Sequence, residues 1–449
     1  MSSVIELVED SQKTLPFKLS VAIALTFCLY LAILSLSSDD TNNGISLLIA
    51  SSGGLIAILV FYFSLRQYFV RSILKYALIF FLIRLSLGVL HYLLFFDDRY
   101  LFVNYTDFAY LDEYVWLFDS MDLFAAGTAG NADPENVAIA ADLNKNYEMI
   151  LLMSFLFFFG GTKALTVATF NSLVTIYAAF LVYFISLKVN KNIKNASFCF
   201  FIVALQPFEF ITSILSRDTF GQMLVFYGVF LLVYFFSTNS LFKLLPILFA
   251  SWVSSLVREV YFVIPLLAGL GSNLFYSLIY NFRRFKKTYL IAFIFSLVGF
   301  VALTPVLIDT FFWRFLNVDF IEKIISLPVS AIYSLVGPFP WTQVLYGVTG
   351  YEYHIPGYLT SVFNITLYIS LILFLANKRP TRLHFMILLI FSIFYLSGIL
   401  VYGGRHTVYY SICIPLLALF DLDSRKSIFT IRFMMVFIFF LILNLLYVI

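Results

Sequence analysis

The sequence predicts an all-α integral membrane protein with about 13 transmembrane helices (a range of about 11 to 14), forming one polytopic domain over residues 1–449. Hydrophobic residues make up 62% of the chain and charged residues only 12%, whereas a soluble domain has about a quarter charged residues. The mean hydropathy of the whole chain is +0.96. The apolar runs are long and continuous, which favours spanning helices over the short alternating strands of a membrane barrel.

The predicted spans follow from the thickness of the bilayer core, which about 20 apolar residues cross as a helix. They are residues 16–37, 45–65, 76–96, 164–187, 196–215, 219–236, 241–257, 260–281, 288–310, 357–377, 383–402, 407–420 and 427–448. No small-residue cleavage site follows the first run, so we interpret it as a retained span. The apolar stretch 147–160 is short and ends at Gly160-Gly161, and we predict that it lies in or dips into the outer interface.

Basic residues gather in one set of the loops between these spans. These loops carry Arg66, Arg71 and Lys75, then Lys188, Lys191 and Lys194, then Arg283, Arg284, Lys286 and Lys287, then Lys378, Arg379 and Arg382, and finally Arg425 and Lys426. The positive-inside rule assigns these loops to the cytoplasm. The sequence therefore predicts a multi-pass membrane protein with a cytoplasmic N-terminus.

Several classes of function are disfavoured by what the chain lacks. No block of lysines and arginines resembles a nucleic-acid-binding arm. The three cysteines, Cys28, Cys199 and Cys413, are far apart in apolar runs and are predicted to be small buried hydrophobic residues. No histidine and carboxylate spacing is typical of a metal site. The sequence thus indicates no cofactor and no nucleic-acid partner, and it leaves a role for a divalent metal open.

The predicted outer face carries five elements that are far apart in sequence. Two are long loops, 97–147 and 311–356, both rich in aromatic residues and too long to be simple connectors. Three are short charged corners, Ser216-Arg217-Asp218, Arg258-Glu259 and Gly403-Gly404-Arg405-His406. Their convergence on one side of the membrane predicts a functional outer face.

The first outer loop contains adjacent carboxylates, Asp112 and Glu113, among Tyr110, Tyr114 and Trp116. Carboxylates in an aromatic setting tend to have raised pKa values and to act as general bases. A solvated acidic loop that opposes re-entry into the cytoplasm is an equally good interpretation of this segment alone.

The arginines Arg217, Arg258 and Arg405 lie at predicted membrane ends. Each one alone is better explained as a snorkelling side chain paired with a neighbouring acid. As a set on one face, they favour phosphate recognition, because the planar guanidinium group binds phosphate oxygens with two parallel hydrogen bonds.

Two charged residues fall inside predicted spans, Arg84 and Glu209. Such charges are rare in a bilayer and are usually paired. We predict a structural pair between them, with a role for Glu209 in a substrate path as the alternative.

The order of these motifs resembles the bacterial multispan glycosyltransferases of the GT-C class, which use sugars linked to polyprenyl phosphates. The resemblance covers about residues 110 to 415 and depends on short motifs in a shared order. They are Asp112-Glu113 with Trp116, the stretch Leu156 to Gly160, Asn171, Gln206-Pro207, Arg217-Asp218, Arg258-Glu259, Leu335 to Trp341 with its Pro338-Phe339-Pro340, and Arg405 followed by Pro415. This chain differs in two extra spans before the first large loop and in Tyr114 directly after the acidic pair.

The resemblance implies a multi-pass protein of the bacterial cytoplasmic (inner) membrane, with a site at the outer membrane boundary. Asp112 or Glu113 would act as the base, and Arg217, Arg258 and Arg405 would bind the donor phosphate. Asp218, Glu259 and His406 would support them, and Tyr114, Trp116 and Trp341 would stack on sugar rings. The implied partners are a polyprenyl-linked sugar donor, a glycan or lipid-linked acceptor, and membrane lipid.

Two other functions remain open at this stage. The Arg217-Asp218 corner and the loop at Trp341 also resemble O-antigen or capsule repeat-unit polymerases, which act on undecaprenyl-pyrophosphate glycans. A flippase or other transporter for a lipid-linked glycan is the alternative from another class. It predicts charge and broken helices near the membrane midplane, together with internal repeats.

Overall fold

The computed structural model describes residues 14–37, 43–95, 155–160, 164–205 and 217–235, with short pieces at 248–249, 252, 381, 383–384 and 386–389. Within these ranges every regular element is a helix. They are α1 (Leu15–Leu34), α2 (Asn43–Ser64), α3 (Arg71–Phe95), α4 (Ala164–Asn190), α5 (Ile193–Ala204) and α6 (Arg217–Phe235), with 3₁₀ turns at Ser35–Ser37 and Arg66–Tyr68. Apart from these short pieces, the other predicted spans and both large loops lie outside the described residues.

Four of these helices, α1 to α4, are long and apolar enough to cross a membrane. Large apolar side chains remain exposed on α1 and α2, among them Phe17, Leu48 and Phe63. Contiguous exposed apolar surface is unfavourable in water and favourable in contact with lipid tails. The chain is therefore a helical membrane protein, as its composition predicts.

Helix boundaries follow local chemistry. Pro16 lies in the first turn of α1, where backbone N–H groups have no intrahelical acceptor, so the N–H that proline lacks costs no hydrogen bond. A two-residue turn joins α4 to α5: Lys191 has a φ of 50°, and its N–H donates to the carbonyl oxygen of Leu187 at 3.0 Å. Asn192 precedes the first residue of α5, Ile193, and its side-chain Oδ1 accepts a 2.9 Å hydrogen bond from the N–H of Lys194 in the first turn of that helix.

The contacts divide the chain into two units. Unit 1 includes α1, α2, α3, α4 up to Phe180, the end of α5 at 203–205, and α6 up to Leu224. Unit 2 includes α4 from Leu181, most of α5, and α6 from Val225.

In unit 1, α2 has glycine residues at the positions where it packs against its neighbouring helices. It packs against both α1 and α3. A Cβ at Gly53 would lie 3.1 Å from Cγ2 of Ile33 on α1, and a Cβ at Gly54 would overlap the ring of Phe81 on α3. Glycine at these two positions allows the close approach of neighbouring helices that is common in membranes.

Aromatic rings connect α4 to its neighbours in unit 1. Phe27 of α1 meets Tyr177 edge-on, with ring centroids 5.0 Å apart, and Phe61 of α2 stacks on Phe180 at 4.9 Å. Phe170 contacts Tyr30 of α1 at 6.3 Å and Phe220 of α6 at 6.0 Å. These pairings make α1 antiparallel to α4 and bring the first turns of α6 beside the first half of α4.

In unit 2, α4 and α6 stay in contact. The hydroxyl of Tyr234 donates to the carbonyl oxygen of Phe184 at 3.3 Å, and the ammonium of Lys188 lies 5.7 Å from the centroid of the Tyr234 ring. Every side chain of α4 from 165 to 190 is buried. By contrast, only 28% of the apolar window of α1 is buried.

The prediction that the three cysteines are buried is confirmed for one, wrong for another, and falls outside the described residues for Cys413. Cys199 on α5 is buried, as predicted. Cys28 is exposed, because it lies on a face of α1 that no described helix covers. An apolar run does not indicate by itself which of its residues contact protein and which contact lipid.

Candidate functional site

Most of the predicted site residues lie outside the described residues. These are Asp112, Glu113, Tyr114, Trp116, Arg258, Glu259, Trp341, Arg405 and His406. Their proposed roles stay predictions from the sequence.

The backbones of Arg217 and Asp218 are described, and they form the first two positions of α6. The N–H groups in the first turn of a helix have no intrahelical partners, and the helix dipole adds partial positive charge there. An acid such as Asp218 is favourable at this position. The start of α6 can therefore bind an anion such as a phosphate through backbone N–H groups.

The start of α6 lies at one end of unit 1. The ring contact between Phe220 and Phe170 places it beside the first half of α4. The same end holds Gly160, whose Cβ would meet Thr166 of α4 at 2.7 Å and Leu34, the last residue of α1, at 3.0 Å. The end of α1 and the starts of α4 and α6 thus lie at one boundary, where the sequence predicts the outer face.

Residues 155–160 are helical and lie at this boundary. Leu156 and Phe157 are buried, while Phe155 and Phe158 are exposed. The predicted interfacial stretch therefore has one protein-facing and one exposed side where it is described. Its remaining residues lie outside the described ranges.

Three polar side chains on different helices of unit 1 are buried, Tyr30 on α1, Asn171 on α4 and Thr219 on α6. Within the described part of the chain, the amide of Asn171 and the hydroxyls of Tyr30 and Thr219 have no hydrogen-bond partner. All three residues are at most 1% exposed. Sequence reasoning quoted Asn171 only as a motif position and missed Tyr30 and Thr219, although an asparagine in an apolar helix is itself a functional signal.

Arg84 has no exposed surface and lies within the span α3. Its Nε donates a 2.8 Å hydrogen bond to the carbonyl oxygen of Ala204, the last residue of α5. At about 1.5 Å per residue, Arg84 is about 14 Å beyond Lys75 along α3, near the depth of a bilayer midplane. The guanidinium thus caps a helix end, where a cation is favourable.

Helix α5 ends at this contact because of the residues that follow it. Gln206 precedes Pro207, and the residue before a proline is disfavoured in helical conformation. The predicted pairing of Arg84 with Glu209 stays a prediction, since Glu209 lies outside the described residues. The Ala204 carbonyl is a partner that sequence spacing did not indicate.

Replacement of Arg84 by leucine should loosen the end of α5. The carbonyl oxygen of Ala204 would lose its donor, which costs on the order of 1–3 kcal/mol for a buried acceptor. We expect faster hydrogen exchange at the amides of the last turn of α5 and a lower melting midpoint, with Arg84→Lys intermediate. Arg71→Leu, at an exposed position of the same helix, is the control. Equal exchange in the Arg71 and Arg84 variants would contradict the capping role.

The described helices define a class, the polytopic α-helical membrane proteins. Comparison with known proteins adds no closer relationship: no family model, no curated protein and no solved structure matches the chain. Among the described residues, no three His, Cys, Asp or Glu side chains are grouped as metal ligands.

Proposed function

We propose that the protein is a membrane glycosyltransferase of surface polysaccharide or glycolipid biosynthesis. It transfers a sugar from a donor linked to polyprenyl phosphate or pyrophosphate, at the outer face of the cytoplasmic membrane. The observation that carries the proposal is the position of Arg217. It begins α6, at an end of unit 1 where backbone N–H groups favour an anion.

The donor phosphate would bind at the start of α6, with Arg217, Arg258 and Arg405 neutralising its charge. Asp112 or Glu113 would take the proton from the acceptor hydroxyl. The acceptor oxygen then bonds to the anomeric carbon as the bond from that carbon to the phosphate oxygen breaks. The electron pair leaves with the phosphate, whose growing charge the arginines stabilise. Tyr114, Trp116 and Trp341 would stack on sugar rings.

Exposed basic residues support the proposed orientation. Arg66, Arg71 and Lys75 are exposed where α2 turns into α3, and Lys191 and Lys194 are exposed where α4 turns into α5. With these turns in the cytoplasm, the N-terminus is cytoplasmic and the start of α6 faces outwards. The remaining predicted spans, about 13 in all, continue this alternation and put both large loops outside.

Analysis of surface glycans and lipid-linked intermediates in cells lacking the protein tests the proposal. A glycan that lacks one sugar or branch, restored by wild type but not by Arg217→Ala or Asp112→Ala, is the expected result. Single repeat units on the outer surface without long chains would instead identify a repeat-unit polymerase. Normal rescue by both variants would reject the site.

A lipid-linked glycan flippase is the second candidate, and one observation favours it. Arg84 and the end of α5 lie at membrane depth, and charged residues at helix ends within the membrane are typical of transporter sites. If the protein is a flippase, wild type should flip a fluorescent lipid-linked oligosaccharide in proteoliposomes and Arg84→Met should abolish that flipping. Under the glycosyltransferase proposal, neither wild type nor Arg84→Met exceeds empty vesicles in this assay.

A further inference from the structure

One face of α3 is exposed along the first half of the helix, and it changes from charged to apolar along its length. Arg71 and Lys75 are exposed at the start of α3. Ile79 and Ile83 follow them with 38% and 40% of their surface exposed. Residues four apart lie one above the other on a helix, so these four side chains form a continuous stripe, which we call the α3 stripe.

The two cations of the α3 stripe have no counter-ion in the part of the chain that the structure describes. Residues 43–95, which include α2, α3 and the turn between them, contain no aspartate or glutamate. Neither Arg71 nor Lys75 forms an ion pair or a side-chain hydrogen bond with another described residue. Two positive charges one helical turn apart are thus available to an anion that these helices do not supply.

The dimensions of the α3 stripe match one leaflet of a bilayer. Ile83 is eight residues after Lys75, or about 12 Å along the helix axis. Half of the hydrocarbon core of a bilayer is about 15 Å thick. Tyr76 follows the cations, at the level where tyrosine is favoured in membrane proteins, and its ring stacks on Phe80 with centroids 6.1 Å apart. Charge, boundary and apolar surface therefore come in the same order as the headgroup and acyl chain of a phospholipid.

The turn between α4 and α5 provides a contrast within the same molecule. Lys191 and Lys194 are exposed there. From 165 to 204, however, no large apolar side chain of α4 or α5 is exposed. A lipid at these two lysines would find no exposed apolar surface on either helix for its acyl chain. Positive charge at the membrane boundary is common to both turns, whereas a charged and apolar stripe is particular to α3.

We propose that the α3 stripe is a binding site for an anionic phospholipid. The lipid phosphate lies between Arg71 and Lys75, and an acyl chain lies along Ile79 and Ile83. Charge complementarity selects an anionic headgroup, because basic side chains at the membrane boundary attract anionic lipids. The occupant is a lipid and not a soluble phosphate, because the cations are continuous with apolar surface that an acyl chain covers. In the proposed orientation the site lies at the opposite membrane boundary from the start of α6, so its lipid is not the sugar donor.

The lipid preference of the full-length protein tests this site. The protein is extracted from vesicles that contain phosphatidylglycerol and phosphatidylcholine in equal parts, and the retained lipids are counted by native mass spectrometry. Arg71→Gln/Lys75→Gln removes both charges of the α3 stripe. Lys191→Gln/Lys194→Gln is the matched control, because it removes two exposed charges from the turn that lacks exposed apolar surface.

We expect wild type to retain phosphatidylglycerol in preference to phosphatidylcholine. Arg71→Gln/Lys75→Gln should lower the retained ratio by about tenfold, a difference of about 1.4 kcal/mol, whereas the control should keep most of it. Ile79→Ala/Ile83→Ala keeps the charges and should also lower the retention of phosphatidylglycerol, because less apolar surface is covered by the acyl chain.

Melting in nanodiscs separates lipid binding from folding. In pure phosphatidylcholine, Arg71→Gln/Lys75→Gln should melt at the wild-type midpoint, because exposed cations without a counter-ion contribute little to stability. Phosphatidylglycerol should raise the midpoint of wild type but not that of this variant, since a ligand stabilises only the state that binds it.

Three results would overturn the site. The first is a wild-type lipid ratio in Arg71→Gln/Lys75→Gln. The second is an equal loss in Lys191→Gln/Lys194→Gln, which would indicate general attraction between basic residues and anionic lipid. The third is displacement of the retained lipid by excess glycerol 1-phosphate, which would show that the cations bind a soluble anion without an acyl chain. None of these results affects the glycosyltransferase proposal, which depends on the start of α6.

Discussion

Replacement of Arg217 by alanine should lower sugar transfer by about 100-fold or more, the loss typical when a preorganised group that stabilises a leaving charge is removed. Arg217 begins α6, where it adds a full charge to the partial charge of the helix end. Arg217→Lys should retain part of the activity, since an ammonium group keeps the charge but lacks the planar pair of donors. Transfer is measured with purified protein and a lipid-linked sugar donor that supports wild-type activity.

Stability distinguishes this effect from misfolding. A cation at a helix N-terminus is unfavourable, so Arg217→Ala should melt at or slightly above the wild-type midpoint. Arg66→Ala, at an exposed position in the turn after α2, is the control and should retain full transfer. Wild-type transfer by Arg217→Ala would contradict the phosphate-binding role.

Replacement of Gly54 by alanine should destabilise the helices of unit 1, against the trend that helix propensity predicts. Alanine in place of glycine contributes about 1 kcal/mol to helix stability. At Gly54, however, the new methyl group would overlap the ring of Phe81, and overpacking of this kind costs about 1–3 kcal/mol. We expect a net loss of stability, measured as the fraction unfolded during titration with a denaturing detergent.

The neighbouring glycine provides a matched control. A Cβ at Gly53 would lie 3.1 Å from Cγ2 of Ile33, a side chain that can shift slightly, so Gly53→Ala should be close to neutral. Phe81→Leu removes the ring that the new methyl group would overlap. The double variant Gly54→Ala/Phe81→Leu should therefore be more stable than the sum of the two single-variant effects predicts. Additive effects of Gly54→Ala and Phe81→Leu would show that the contact does not determine the result.

Helix positions are largely predictable from hydropathy, because the length of an apolar run follows the thickness of the bilayer. The run 45–65 corresponds to α2 at Asn43–Ser64, and the run 164–187 corresponds to α4 at Ala164–Asn190. The largest difference is at the end of α5, which ends at Ala204 instead of residue 215, and the largest difference at a helix start is at α3, which begins at Arg71 instead of residue 76. Arg71 and Lys75 are exposed on its first turns, and hydropathy excludes such residues although a helix accommodates them in the headgroup region.

Contacts between helices were less accessible to sequence reasoning. Arg84 was recognised as a buried charge, but one of its hydrogen-bond partners is a backbone carbonyl 120 residues away, which sequence cannot indicate because every residue carries a carbonyl. The ring contacts of Phe170 join α1, α4 and α6, which carry the buried Tyr30, Asn171 and Thr219, and no single run encodes the relative rotations of these helices. Only Asn171 stood out in sequence, since threonine and tyrosine are ordinary in an apolar helix.

The burial of α4 has a consequence for how the protein is made. Rings from α1 and α2 contact this helix, and α6, which follows it in the chain, covers it through Phe220 and Phe230. During synthesis α4 therefore enters the bilayer before α6 exists. In that interval the surface of α4 that later contacts α6 is open to lipid. A chain interrupted after Asn190 therefore exposes this uncovered helix surface to the cell's quality-control proteases.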